Sequence, residues 1–282
     1  MKATGSRPSA GRLLAVVIGA ALAAPAGALA AGPDLLNNTW SIGLGLFDPD
    51  TGTKVQLNGD TSVGDKVDLE NTFDASDSTQ FRLDGFWRFA ERHKLRFMWF
   101  NSDVDRTRTI DEEIRWGDEV FPVDADVSFE RKFDVYQASY QYAFMRRDRF
   151  ELAASAGLHY TEMSATLAAD VPVAGEPDLT RKASETARLN APLPVLGLYG
   201  TWRIGGDFWL DAGAQWFALS FDEYDGSILD LRAVALWQPR NWLGLGLGYN
   251  SFNVDIDVDR SGFDGSLDWE YEGLQLFLNL AF

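Results

Sequence analysis

Apolar and polar residues alternate with period two along most of the chain, the pattern of a strand with one apolar face. The clearest stretch puts Phe150, Leu152, Ala154, Ala156, Leu158 and Tyr160 on one face and Glu151, Ala153, Ser155, Gly157, His159 and Thr161 on the other. The segment before it sets Tyr136, Ala138, Tyr140, Tyr142 and Phe144 against Gln137, Ser139, Gln141 and Ala143. Ten such strands are predicted, at about 38–47, 79–90, 94–106, 130–145, 149–164, 193–204, 208–221, 227–238, 242–257 and 267–282. Four connections are short polar turns, at 91–93, 146–148, 205–207 and 239–241. The others, near 48–78, 107–129, 165–192, 222–226 and 258–266, are mostly long and rich in Asp, Glu, Gly and Thr.

An even strand count with short turns at one end and long loops at the other is the plan of a transmembrane β-barrel. The predicted fold class is therefore all-β, one ten-stranded antiparallel transmembrane barrel over residues 31–282, with both termini at the short-turn end. Eight strands would require strand 38–47 and a partner to lie outside the barrel, and twelve would require a further pair within 48–78. The stripe from Phe150 to Tyr160 covers ten steps of about 2.5 Å along a tilted barrel axis, roughly 25 Å, the height of a lipid-facing band. Trp87, Phe89, Phe144, Phe150, Trp202, Phe208, Trp237 and Phe282 cluster near the short turns as an aromatic girdle, the placement that suits rings at a membrane interface. A soluble barrel would show a charged second face. Here that face carries Gly244, Gly246, Gly248, Asn250, Gly213 and Gln215, which fits a narrow lumen.

Composition sharpens this picture at three points. Residues 1–30 hold a basic start (Lys2, Arg7, Arg12), an apolar run Leu13–Ala24 and a small-x-small site at Ala28–Ala30, the pattern of a secretory signal peptide. Without it, 22 Lys and Arg face 42 Asp and Glu, a balance of −20, which disfavours nucleic acid as a partner. No cysteine is present, so disulfide, thiol and Cys–metal chemistry are out of reach.

The closing residues Leu274–Phe282 alternate as Leu274, Leu276, Leu278, Leu280 and Phe282 against Gln275, Phe277, Asn279 and Ala281. This segment resembles the C-terminal assembly signal of Gram-negative outer-membrane β-barrel proteins, with Leu276, Leu278, Leu280 and Phe282 as its apolar positions. The resemblance covers the whole mature chain as a pattern and names a superclass. It implies Sec export, recognition by the barrel-assembly machinery, and an outer membrane with lipopolysaccharide around the barrel and both termini in the periplasm.

Chemistry in the lumen falls to the second face: Arg82, Asp84, Arg88, Arg96, Glu151, His159, Arg203, Asp211, Asp230 and Arg232. Mixed signs at these positions predict either a packed ion-pair network or a charged filter lining a small-solute pore. General acid–base chemistry usually recruits His with a carboxylate, and only His93 and His159 exist. His93 reads as a solvated turn residue. Asp103 and Asp105 at the top of one strand resemble half of the site of omptin proteases, whose Asp-x-His half has no counterpart here. No enzyme, cofactor or metal site is therefore expected. Loops such as 107–129, with carboxylates around Trp116, Phe121 and Phe129, read as solvated surfaces sharing divalent ions with lipopolysaccharide, and exposed aromatics such as Trp116 as the place to seek a partner. The expected protein is a monomeric structural barrel or narrow passive channel. A surface receptor or adhesin acting through loops 48–78, 107–129 and 165–192 is the alternative, and an outer-membrane hydrolase a further one.

Overall fold

The computed structural model describes residues 34–60, 62–74, 79–173, 176–221, 224–260 and 263–282; the predicted leader, residues 1–30, lies outside them. In chain order the elements are β1 (Trp40–Leu57), β2 (Lys66–Asp68), the helix α1 (Leu69–Phe73), β3 (Gln80–Ala90), β4 (His93–Thr109), β5 (Ile114–Trp116), β6 (Glu119–Phe121) and β7 (Asp126–Arg147). There follow β8 (Phe150–Val173), β9 (Glu176–Gly205), β10 (Phe208–Phe221), β11 (Tyr224–Arg240), β12 (Leu243–Arg260) and β13 (Phe263–Ala281). Ten of these pair antiparallel as neighbours around a ring, β1-β3-β4-β7-β8-β9-β10-β11-β12-β13, and β13 returns to β1. That closing pair runs from Ser41↔Ala281 to Leu57↔Gly265. Ten strands close the barrel, so the eight- and twelve-strand alternatives fall away.

Four of the hairpins close through two-residue turns, at 91–92, 148–149, 206–207 and 241–242. In the third, Gly206 has φ 55°, a left-handed conformation that only glycine adopts without cost. The other end is taller than the alternation predicts. Residues 165–173 and 176–192 form the upper halves of β8 and β9, paired from Ala165↔Ala187 to Val171↔Arg181, and 48–57 belong to β1. Of the predicted long loops, 165–192 is thus barrel wall in its described residues, while 48–78 and 107–129 are shared between the wall and the top. β3 stops short, pairing with β1 only as far as Gln80↔Phe47. Above it β2 takes up the edge of β1 at 54–56, and α1 packs beside it.

Along β7 the burial pattern explains how the wall can rise. Val127, Phe129, Arg131, Phe133 and Val135 point inward and are buried, while Ser128, Glu130 and Lys132 face out. From Tyr136 onward the polarity inverts. Tyr136, Tyr140, Tyr142 and Phe144 are now outside and exposed, and Gln137, Ser139 and Gln141 are buried within. β12 and β13 invert at the same level, with Gly246, Gly248 and Asn250 inside below and Phe252, Val254 and Ile256 inside above. The lower barrel is therefore apolar outside and polar inside, and the upper barrel has an ordinary apolar core. The predicted girdle is present at the short-turn end, with Phe208 and Phe282 more than half exposed and Trp40 stacked on Trp87 at 5.5 Å.

Within the lower wall, Phe277 faces Gly45 on one neighbouring strand and Gly246 on the other. A Cβ at either glycine would overlap Phe277, so the ring lies in a trough that only glycine leaves open.

Candidate functional site

The interior is built in layers from the short-turn end upward. At the bottom, residues 34–38 fold into the barrel mouth: Leu35 and Leu36 are buried against Trp209, Val234, Leu236 and Phe277. Arg146 donates to the Leu36 carbonyl and the Asn37 side chain, and Arg88 Nη2 to the Leu35 carbonyl at 3.5 Å. Above this plug the Glu151 carboxylate receives Arg88 at 2.8 Å and Lys94 at 2.6 Å. The next layer is centred on Asp211, which accepts from Arg96 Nη2 at 3.1 Å, Thr201 at 2.8 Å and Arg232 Nη1 at 3.3 Å. The other arm of Arg232 reaches Asp84 at 2.9 Å. Higher still, Asn250 donates to Asp230 at 2.6 Å, and Gln137 bonds Gln215 and Asp230.

Seven of the ten predicted lumen residues lie in this stack, and two more, Arg82 and His159, are buried at its upper end. The tenth, Arg203, does not join it: its Nε donates to the Gly206 carbonyl at 3.1 Å and its guanidinium lies over Trp209, 5.5 Å from the ring centroid. Gln137, Gln215 and Asn250, which the alternation sets on the second face, join the stack as well, and Lys94 is a member the sequence reading missed. Lys94 shares the parity of Arg96 on β4, so the same alternation that places Arg96 inside would have found it. Arg82 caps the polar layers, its guanidinium 5.1 Å from the Phe47 ring and 5.7 Å from that of Phe100. His159 is fully buried, stacked on Phe252 at 4.8 Å, and its ring nitrogens find no hydrogen-bond partner among the described residues.

Over these layers sits the apolar core of the raised wall. Phe133 stacks on Trp269 at 4.3 Å and Phe252 on Tyr271 at 4.9 Å. The top is closed by α1 and the β5–β6 hairpin, whose Phe73, Trp116 and Phe121 are 1%, 0% and 0% exposed. Trp116, Phe121 and Phe129 are thus core residues rather than exposed aromatics. Arg115–Val120 forms the end of this hairpin, with Trp116 paired to Glu119. Helix α1 starts on Asp68, whose side chain accepts from the Asn71 N–H. One buried ion pair ties it to the wall: Glu70 meets Arg131 at 2.6 Å and also accepts from Thr53 N at 2.6 Å and Thr53 Oγ1 at 2.8 Å. In this way Glu70 satisfies an edge N–H of β1 that β3 is too short to reach. Burial raises the Glu70 carboxyl pKa despite the pull of Arg131. Two outer anchors behave oppositely: hydrogen bonds from Arg115 hold Asp65 below its usual value, and those from Arg181 hold Glu119 below its own.

Beside the lid a groove of about 780 Å³ runs between β2–α1 and the β4–β5 connection, lined by Asp68, Arg108, Asp111, Glu112 and Glu113 among others. Asp103 and Asp105 do not face the interior. They are exposed on the outer side of β4, between the buried Ser102 and Val104, so the half-match to an omptin site does not form one. His93 is likewise not a solvated turn residue. It opens β4 within the outer girdle, with Nδ1 2.6 Å from the Tyr140 hydroxyl. Among the described residues no group of three or more His, Asp or Glu is placed to hold a metal ion.

No family model matches the sequence, and no curated protein matches it. Among solved structures, the outer membrane protease OmpT of Escherichia coli is similar at TM-score 0.57 and 11% identity, over 88% of this chain and 98% of that one. The translocator domain of the autotransporter NalP of Neisseria meningitidis aligns at TM-score 0.38 and 11% identity, over 96% and 94%. The toluene transporter TodX of Pseudomonas putida aligns at 0.35 and 10%, over 93% and 92%. This chain has the fold of the Gram-negative outer-membrane β-barrels.

Proposed function

We propose that this protein is a sealed barrel of the Gram-negative outer membrane that works at the cell surface through its raised wall and lid. The exposed apolar band lies in lipid, the short turns and both chain ends face the periplasm, and the lid faces outward. The observation that carries the reading is the filled interior. Arg82, Arg96, Gln137, His159, Gln215 and Asn250 are each 7% exposed or less, whereas residues lining a water-filled pore keep accessible surface. The plug below and the apolar core above close the same axis. This favours the packed ion-pair network over the charged filter, and a surface receptor or adhesin over a passive channel.

On this reading the barrel is a monomer and not an enzyme, and its partners are outer-membrane lipid, lipopolysaccharide and the barrel-assembly machinery. At the lid end the groove beside α1 is an accessible concavity. Its carboxylates outnumber its cations, which suits a cationic or cation-bridged partner. The test is single-channel recording of the purified, heat-modifiable barrel in planar bilayers. Silence is expected, and unitary steps from the wild type would overturn the sealed reading.

A further inference from the structure

The outer wall carries a trough that the ion-pair layers and lid do not explain. Leu152, Gly200, Ala212, Ala233 and Tyr249 pair in register, each with the next, across β8 to β12. All five face outward, and the row crosses four strand spacings, roughly 19 Å. Its open middle is Ala212 and Ala233; the Trp202 ring lies over the buried Gly200, and Leu198 and Leu231 stand on the upper side. The resulting apolar groove holds about 540 Å³. Strand tilt makes the row climb. Leu152 lies two residues in from the start of β8, whereas Tyr249 lies six in from the start of β12 and bonds Glu272 at 2.6 Å at the upper edge of the band.

Two cations lie below the low end of the trough, past the Phe150–Trp202 pair. Arg147 pairs in register with Phe150, and the Arg149 carbonyl accepts from the N–H of Arg203, next to Trp202. Both side chains are exposed, and neither pairs with a carboxylate among the described residues. A ligand that fits both features has an anionic head at the periplasmic interface and an apolar tail running up the wall.

Resting on the membrane reading above, we propose that this groove binds one anionic phospholipid of the periplasmic leaflet, its phosphate on Arg147 and Arg149 and one acyl chain passing the Trp202 ring onto the Ala212–Ala233 floor. Guanidinium groups match phosphate oxygens in charge and geometry. The groove is a one-chain trough in a convex wall, which an acyl chain fills and a second convex barrel does not.

The experiment uses the whole barrel, delipidated in detergent and then offered equal phosphatidylglycerol and phosphatidylcholine, with bound lipid counted by native mass spectrometry. One phosphatidylglycerol should be retained in preference to phosphatidylcholine. Arg147→Gln/Arg149→Gln should reduce that preference about fivefold, the effect of two exposed ion pairs, while retaining lipid. Ala212→Phe or Ala233→Phe, either of which fills the floor, should abolish retention with heat-modifiable migration intact. Retention in both filled variants equal to wild type, or no headgroup preference in the wild type, would overturn the site. A wild type that never becomes heat-modifiable would instead overturn the membrane reading beneath it.

Discussion

The Glu70–Arg131 pair can be tested as the lock of the lid. Arg131→Met leaves the Glu70 carboxylate, with a side chain 14% exposed, without its cation. Removing one partner of a buried pair costs about 3–5 kcal/mol. The two hydrogen bonds from Thr53 persist, so the low end applies, about 3 kcal/mol. Glu70→Gln keeps an acceptor for Thr53 but strands a guanidinium whose side chain is 0% exposed, at about 2 kcal/mol because Thr53 and Ser102 still accept from it. Independent effects would sum to about 5 kcal/mol. The double variant instead removes both charges together and should cost about 2, a coupling of about 3 kcal/mol. Hydrogen exchange at the Arg115–Phe121 amides reads the local opening free energy of the lid. A double variant as damaged as the sum of the singles, within about 0.5 kcal/mol, would refute the lock.

The outer anchors should loosen in acid. The folded pKa values of Asp65 and Glu119 are depressed from their ordinary 3.8 and 4.5, so their contribution is complete above those values and is lost as pH falls through the lower folded ones. Pepsin should therefore cut the β5–β6 region faster as pH drops from about 5 to about 2 than its intrinsic pH profile explains, and Asp65→Asn/Glu119→Gln should flatten that response; equal behaviour of wild type and variant would contradict it. Glu70, whose pKa is raised, has the opposite sign: its contribution is intact below its ordinary 4.5 and declines as pH rises through the raised value. Gly246→Val should drive a methyl into the Phe277 ring and cost about 1–3 kcal/mol in urea unfolding followed by gel shift, with Phe277→Ala in the same chain recovering part of it; an unshifted midpoint would count against the trough. Phe282→Asp should lower the amount of assembled barrel. The folded fraction should unfold within about 0.5 kcal/mol of wild type, because the ring is exposed and the terminal ladder bonds to Trp40 are backbone; undiminished assembly would remove the signal.

Legibility in the sequence followed the alternation and failed where its phase changed. Ten strands, four tight turns and nine lumen residues could be read because Tyr136–Phe144 and Phe150–Tyr160 keep one face apolar over the full band. At Val135 the apolar positions on β7 pass to the other parity, and the predicted strand, 130–145, runs only five residues past that point and stops short of the observed start at Asp126. Residues 165–192 were lost in the same way, although Ala165, Leu167, Val171, Ala183, Ala187 and Leu189 are buried at alternate inward positions. The signal was present with the opposite sign. The plug at 34–38 had none, since "DLLNN" has no period and its partners lie on β10, β11 and β13. Helix α1 is five residues long, too short for a 3.6-residue period to show. Placing His159 against Phe252, and Glu70 against Arg131, needed the ring closed in space.

The phase change on these strands means that each belongs to two solvents, with consequences for temperature. In the proposed membrane setting the outward side chains below Tyr136 meet hydrocarbon, so loosening the wall there hydrates little apolar area. Above it, Phe129, Phe133, Trp269 and Ile256 are held from water by the same force that folds soluble proteins. Apolar area newly exposed to water adds about 0.45 cal/K/mol per Å² to the heat capacity. The upper half therefore carries nearly all the curvature of the stability curve, and the hydrophobic force on it weakens on cooling. The cold limit of this barrel is set at its lid, while its membrane half keeps a nearly straight dependence on temperature.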